Sequence, residues 1–180
     1  MNKLRLIEKC EVLEKVIVAM SKVYNSANIT SKQKDLMETM VGAAIWYLPS
    51  GDELYSGMIS EKALKLLVDG TPLSWLTAEH RFPRKIAGKI LLSEKYRQLE
   101  SGRSKLIDLY MDEFGIFNLV ERSENKALVK HQRGAAFING DIAYKLAGIS
   151  LVSKPMGELK MIDKQTKAGK KTQETNNKLD

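Results

Sequence analysis

Leu76-Thr77-Ala78-Glu79-His80-Arg81-Phe82-Pro83-Arg84 is the stretch whose reading decides the fold. It is answered downstream by Phe117-Asn118-Leu119-Val120-Glu121-Arg122-Ser123-Glu124-Asn125. Aromatic and β-branched residues, including Trp75 and Thr77, predict a short strand over Leu73 to Glu79, with Trp75 in the core. That strand delivers a carboxylate and an imidazole side by side at its end, and Pro83 stops regular pairing beyond it. The second stretch predicts an apolar strand over Phe117 to Glu121. A helix then runs from a Ser123 N-cap to about Lys130. If the two strands pair antiparallel, the helix packs back across the hairpin and the two stretches meet.

The chain before this pair reads as helices. Leu6, Cys10, Leu13, Ile17, Met20 and Tyr24 recur at three-to-four spacing, the mark of an amphipathic helix. Thr30 with Gln33 is a capping-box signature for a second helix. Its stripe runs Leu36/Met37, Met40/Val41, Ala44/Ile45 and Leu48, and Pro49 to Asp52 stop it. The two make an αα-hairpin in which we see no chemistry; a platform and a dimer surface both stay open. Ser60 caps a short helix through Val68 that ends at Asp69-Gly70.

Between the two decisive stretches, residues about 84–115 read as a helical insert. Arg84 to Leu92 is basic and apolar, Ser93 to Leu99 is helical, and Ser104 to Phe114 is a helix closed by Gly115. After the second stretch, Arg133-Gly134 is a break and Asn139-Gly140 a turn. Asp141 then caps a helix ending at Gly148. From Ser153 apolar periodicity fades, which predicts a disordered basic tail. The expected organisation is a helical hairpin over 1–50, a core over 51–152, and the tail over 153–180.

Composition bounds the function. At 180 residues, with 43% hydrophobic and 28% charged, the chain suits one soluble domain that buries its core without disulfides. Cys10 is the only cysteine, which excludes an intrachain disulfide or a cysteine-held zinc. No apolar run approaches the roughly 20 residues needed to cross a bilayer, so we expect a cytoplasmic protein with no membrane partner. The net charge of +7 and pI near 9.4 favour a polyanion. Residues 154–180 hold seven lysines against four acids, so +3 of that charge sits in the expected tail.

Phosphodiester hydrolysis needs a base for water, a cation on the phosphate oxygens and groups that hold both. His80 suits the base, because an imidazole with a pKa of about 6.5 is mostly neutral at pH 7. The cation is normally a hard divalent ion, Mg²⁺ or Mn²⁺, which takes oxygen donors such as the Asn125 amide. Arg81, Arg84, Lys85 and Lys89 cluster beside His80, where they could grip phosphates. Trp75 and Phe82 are the aromatics near enough to stack on bases.

Glu-His-x-x-Pro at Glu79, then Asn-Leu-Val at Asn118, then Glu-Asn-x-x-Leu at Glu124 together resemble the HNH endonucleases, also called ββα-metal or His-Me finger nucleases. The resemblance covers about Trp75 to His131. It implies a mainly α fold with a small β-hairpin, a ββα-metal finger embedded in a helical domain. By the same resemblance His80 is the general base and Asn118 steadies the loop that bears it. Glu79 and Asn125 are the metal ligands. The family joins its strands by a shorter loop than the 37 residues between His80 and Asn118 here, so the insert must fold as an excursion. His131 lies six positions after Asn125, on a different helical face, whereas Val129 and Gln132 share the face of Asn125, so no residue is assigned to the family's third position.

The expected function is therefore a metal-dependent endonuclease cutting DNA, with RNA as the other substrate and a role in phage or bacterial defence or restriction. A homodimer or a larger defence complex fits the N-terminal helices. A non-catalytic basic nucleic-acid-binding protein, or a helical subunit of a larger complex, is the competing reading.

Overall fold

The apolar stripe of the N-terminus forms helix α1 (Lys3–Tyr24) in the computed structural model, which describes residues 2–132 and 140–176. Leu6, Cys10, Ile17 and Tyr24 are buried, and Asn2 caps the helix by accepting from the Arg5 amide at 3.1 Å. Helix α2 (Ser31–Trp46) starts at Thr30 with the expected reciprocal bonds to Gln33. Its stripe divides: Val41, Ile45 and then Leu48 are buried, whereas Leu36 and Met40 are exposed.

The cause is the close approach of α4 (Arg84–Ile90), which turns the Gly42 side of α2 inward. A Cβ on Gly42 would lie 2.1 Å from the Arg84 carbonyl oxygen, and one on Gly88 2.1 Å from that of Glu38. Only glycines let two helix backbones come so near.

The insert is helical, as expected. A π-helical segment, Leu91–Lys95, joins α4 to α5 (Tyr96–Glu100), and Gly102 at φ +68° turns the chain. Helix α6 (Leu106–Leu109) runs into a second π-helical segment, Tyr110–Phe114, closed at Gly115. The Glu14 carboxylate accepts from the Leu106 amide at 2.7 Å, and Asn25 donates to the Leu92 carbonyl at 3.0 Å. One compact unit thus comprises Met1–Leu54, His80–Ile116 and Gln132–Gly140. The expected Arg133-Gly134 break and the Asn139 half of the turn lie outside the described residues.

The second unit, Tyr55–Glu79, Phe117–His131 and Asp141–Asp180, holds the sheet. Its strands are β1 (Tyr55–Ser60), β2 (Thr77–His80, the last residue counted with the helical unit), β3 (Phe117–Val120) and β4 (Leu151–Ser153). They lie in the order β2-β3-β1-β4. β1 runs parallel to β3 and antiparallel to β4.

Among the described residues the fold is mainly helical with this mixed four-stranded sheet, and no ββα-metal finger is shown. A small β-hairpin was expected; β3 lies next to β2 but also pairs with β1 on its other side, and all four of its residues are buried. Burial on both faces suits an inner strand, and its one polar member, Asn118, is hydrogen-bonded to Ser56. β2 also begins later than expected, after a 3₁₀ turn at Leu73–Trp75. Trp75, expected in the core, is 75% exposed on that turn.

Ser60 ends β1 and caps α3 (Glu61–Val68), accepting from the Ala63 amide at 3.1 Å. Residues 153–180 do not read as a tail here: α9 (Met156–Asn176) follows β4 directly and packs on α3. Its anchors are few, which is why periodicity missed it. Leu159 is fully buried, and Asp163 accepts from the Leu73 amide at 3.0 Å. Helix α8 (Gly140–Leu146) ends at Gly148, φ +69°, as expected. Among the described residues no helix is long and apolar enough to cross a membrane.

Candidate functional site

Glu79, Asn118 and Asn125 belong to the sheet unit, and His80 begins the next segment of the helical unit. β2 carries Glu79 to its C-terminal end, where the side chain is 6% exposed. It is the one acid among the buried polar residues described. A carboxylate is costly to hold away from water unless other groups compensate it, which sets this acid apart from the solvated ones.

Asn118 is 1% exposed in β3, and its Oδ1 accepts from the Ser56 hydroxyl at 2.5 Å. Ser56 Oγ in turn accepts from the Met58 amide at 3.1 Å, so this amide ties β3 to β1.

Asn125 lies half-buried in α7 (Arg122–Leu128), the helix that follows β3 directly. The cap of α7 is Glu121, not Ser123 as expected. Glu121 accepts from the Ser123 amide at 2.8 Å, and Glu124 reaches back to the Glu121 amide at 2.9 Å. A carboxylate can span this position better than a hydroxyl because Lys62 also donates to it, at 2.9 Å. The Ser123 hydroxyl most of all holds the Glu121 carboxyl down at about 2; burial opposes it, and Lys62 adds to the lowering. Ser60 donates to Glu124 at 2.5 Å, linking the starts of α3 and α7.

His80 packs on Trp46, with ring centroids 4.9 Å apart and planes tilted by 39°. The Arg84 guanidinium carbon lies 3.3 Å from the centroid of the same indole. Burial, and then the Arg84 charge, push the imidazole pKa down to about 4, so the ring is neutral at pH 7. The backbone beyond it is fixed where the Arg81 amide donates to the Ile116 carbonyl at 3.0 Å. A Cβ on Gly140 would come within 2.9 Å of the Arg81 carbonyl oxygen.

The four expected phosphate-gripping cations are not alike. Lys85 is ion-paired with Asp35, and Arg84 is committed to Trp46. Lys89 is exposed and Arg81 half-buried. Phe82 packs edge-on against Phe114 at 5.5 Å, which turns it to the core rather than to a base. His131 lies in a 3₁₀ turn, Val129–His131, and its buried Nε2 has no hydrogen-bond partner among the described residues.

Reasoning from sequence missed Trp46, Ser56 and Ser60 as parts of these surroundings. Trp46 gave one signal, a tryptophan off the core stripe at the end of α2. The serines gave none beyond the capping role of Ser60. Among the described residues no group of three or more His, Cys, Asp or Glu side chains could hold a metal ion. The expected donor pair, one carboxylate and one amide, falls below that number and is not judged by it. Neither protein-family models, nor curated proteins, nor solved structures contain a match to this chain.

Proposed function

We propose that the chain is a metal-dependent endonuclease of HNH type that hydrolyses phosphodiester bonds in DNA. The observation that carries the reading is the order of elements in the sheet unit. β2 and β3 are neighbours, and α7 follows β3 without an intervening loop. Glu79 is the penultimate residue of the first strand, Asn118 lies in the second, and Asn125 belongs to the helix.

The donor chemistry fits a hard divalent cation, since a buried carboxylate and a half-buried amide both offer oxygen. Glu79 and Asn125 would hold Mg²⁺ or Mn²⁺. When bound, such an ion supplies charge stabilisation at the phosphate and at the leaving oxygen. The protein's own part is the base. Neutral above a pKa of about 4, His80 can take a proton from the attacking water at Nδ1 or Nε2. Trp46 and Arg84 restrict how the imidazole turns, and Arg84 opposes its premature protonation. Asn118, tied to Ser56, steadies the strand behind the loop. Lys89, exposed on α4, is the cation we assign to phosphate contact, while Arg84 stacks on Trp46 and Lys85 pairs with Asp35.

The test is nicking of supercoiled plasmid with Mg²⁺ or Mn²⁺. His80→Ala should lose about two to four orders of magnitude in rate, the usual worth of a general base, while retaining DNA binding and its circular-dichroism spectrum. Cleavage by that variant at the wild-type rate would overturn the assignment. Salt-sensitive binding with no cleavage by wild-type protein under either ion would favour the non-catalytic basic binder.

A further inference from the structure

Trp75, which the hydrolysis does not use, ends a turn whose base is fixed and whose ring is not covered. Its amide donates to the Pro72 carbonyl at 2.9 Å, and the Leu76 amide closes back on the Leu73 carbonyl at 3.2 Å. The Leu73 amide donates to Asp163 of α9 at 3.0 Å, which fastens the turn to that helix. Among the described large apolar side chains of the sheet unit, Trp75 is the most exposed. One exposed apolar residue needs no explanation by itself; the surroundings of this one on α9 supply its meaning.

The helix brings cations to the same place. Residues 160–171 hold five lysines and one acid, Asp163. Lys160, Lys164 and Lys167 are exposed and stand four and three residues apart, the spacing of one helix face. The one acid is already engaged, since Asp163 accepts from Lys167 at 2.6 Å as well as from the Leu73 amide. Lys164 has no ion pair among the described residues. A single carboxylate thus joins the turn that displays the indole to the helix that displays the lysines.

We infer that Trp75 and the lysine face of α9 form a contact surface for a single-stranded nucleic-acid segment. An unpaired base stacks on the indole, and backbone phosphates lie on Lys160 and Lys164. An aromatic ring beside a cationic track is what unpaired strands require, since every base has a π-face and every linkage a negative charge. A duplex makes no such use of the ring, because its bases are already stacked on one another. Charge and composition choose this occupant over two others. A lipid surface takes an amphipathic helix by its apolar face, and α9 turns buried Leu159 and half-buried Ile162 to the protein. Met161 is the one exposed large apolar residue described on it. A protein partner would meet lysines, which the centres of such interfaces avoid. Nothing in this contact depends on the chemistry assigned to His80.

Fluorescence anisotropy of a short fluorescein-labelled oligothymidylate, titrated with the full chain in EDTA, tests it without any cleavage. Trp75→Ala should weaken binding roughly tenfold. The slope of log affinity against log salt should stay unchanged in that variant, because stacking releases no counterions. The same variant should bind a blunt duplex as the wild type does. Lys160→Gln/Lys164→Gln should instead flatten the slope by about 0.7 for each lysine removed. All three sites are exposed, so circular-dichroism spectra should not change. A wild type that fails to bind the oligothymidylate, including one that binds anionic vesicles instead, overturns the proposal. So does a Trp75→Ala variant that binds the single strand as tightly as the wild type, or that loses as much on the duplex. A lysine variant with the salt slope of the wild type overturns it equally.

Discussion

The His80 imidazole is held neutral by its burial and by the Arg84 charge beside it, and this has a consequence for stability. Its folded pKa of about 4 lies below the ordinary 6.5. As pH falls through about 6.5, the unfolded chain takes up the proton while the folded one does not. The contribution of His80 to stability is therefore full above pH 6.5 and is progressively lost as pH falls to about 4. Urea midpoints of the wild type should drop between about pH 7 and about pH 4.5 by more than those of His80→Gln; parallel drops would contradict this account of the ring's surroundings. Cys10 makes a second residue-scale case. Burial, and then the Glu14 carboxylate, push its thiol up to about 11. A disulfide reagent at about pH 8 should leave Cys10 unmodified in the native protein and label it promptly in denaturant. Rapid labelling under native conditions would show that α1 does not bury it.

At the scale of elements, the crossing of α2 and α4 does most to define the surroundings of His80. Both helices depend on a glycine whose missing Cβ would otherwise meet a carbonyl oxygen at 2.1 Å. Gly42→Ala should destabilise the fold by about 2–4 kcal/mol, read from chemical denaturation, because backbone rather than a flexible side chain blocks the new methyl. Ser60→Ala should cost about 1–2 kcal/mol, since it removes the α3 cap and the donor to Glu124 together.

These elements also show how far sequence reasoning reaches. The α1 stripe, the Thr30–Gln33 box, the Ser60 cap and the Gly148 stop were legible because each is a local pattern with one physical meaning. β1 was not, because Gly57 at φ +84° and a register shift between Tyr55 and Ile59 break its alternation. α9 was not, because a single buried leucine and a long-range bond from Asp163 replace a stripe. Trp46 was invisible as a neighbour of His80, since two glycines 46 residues apart decide that contact. Glu79, His80, Asn118 and Asn125 were singled out by the motifs that resemble the HNH endonucleases. The bond that ties Asn118 to Ser56 depends on β1, which no local pattern announces.

At the scale of the whole molecule, two compact units draw on alternating segments of the chain, and the decisive Glu79-His80 pair straddles the change from one to the other. The central proposal is chemical: the His80 imidazole supplies the base for hydrolysis of a phosphodiester. Rescue of His80→Ala by added imidazole tests it most directly, because a small diffusing base can replace a missing proton acceptor but cannot repair a fold. The account predicts that Mg²⁺-dependent plasmid nicking is absent in His80→Ala and returns in proportion to imidazole concentration. It also predicts that wild-type activity stays unchanged by the same additions. A variant that nicks as fast as the wild type without imidazole would contradict it.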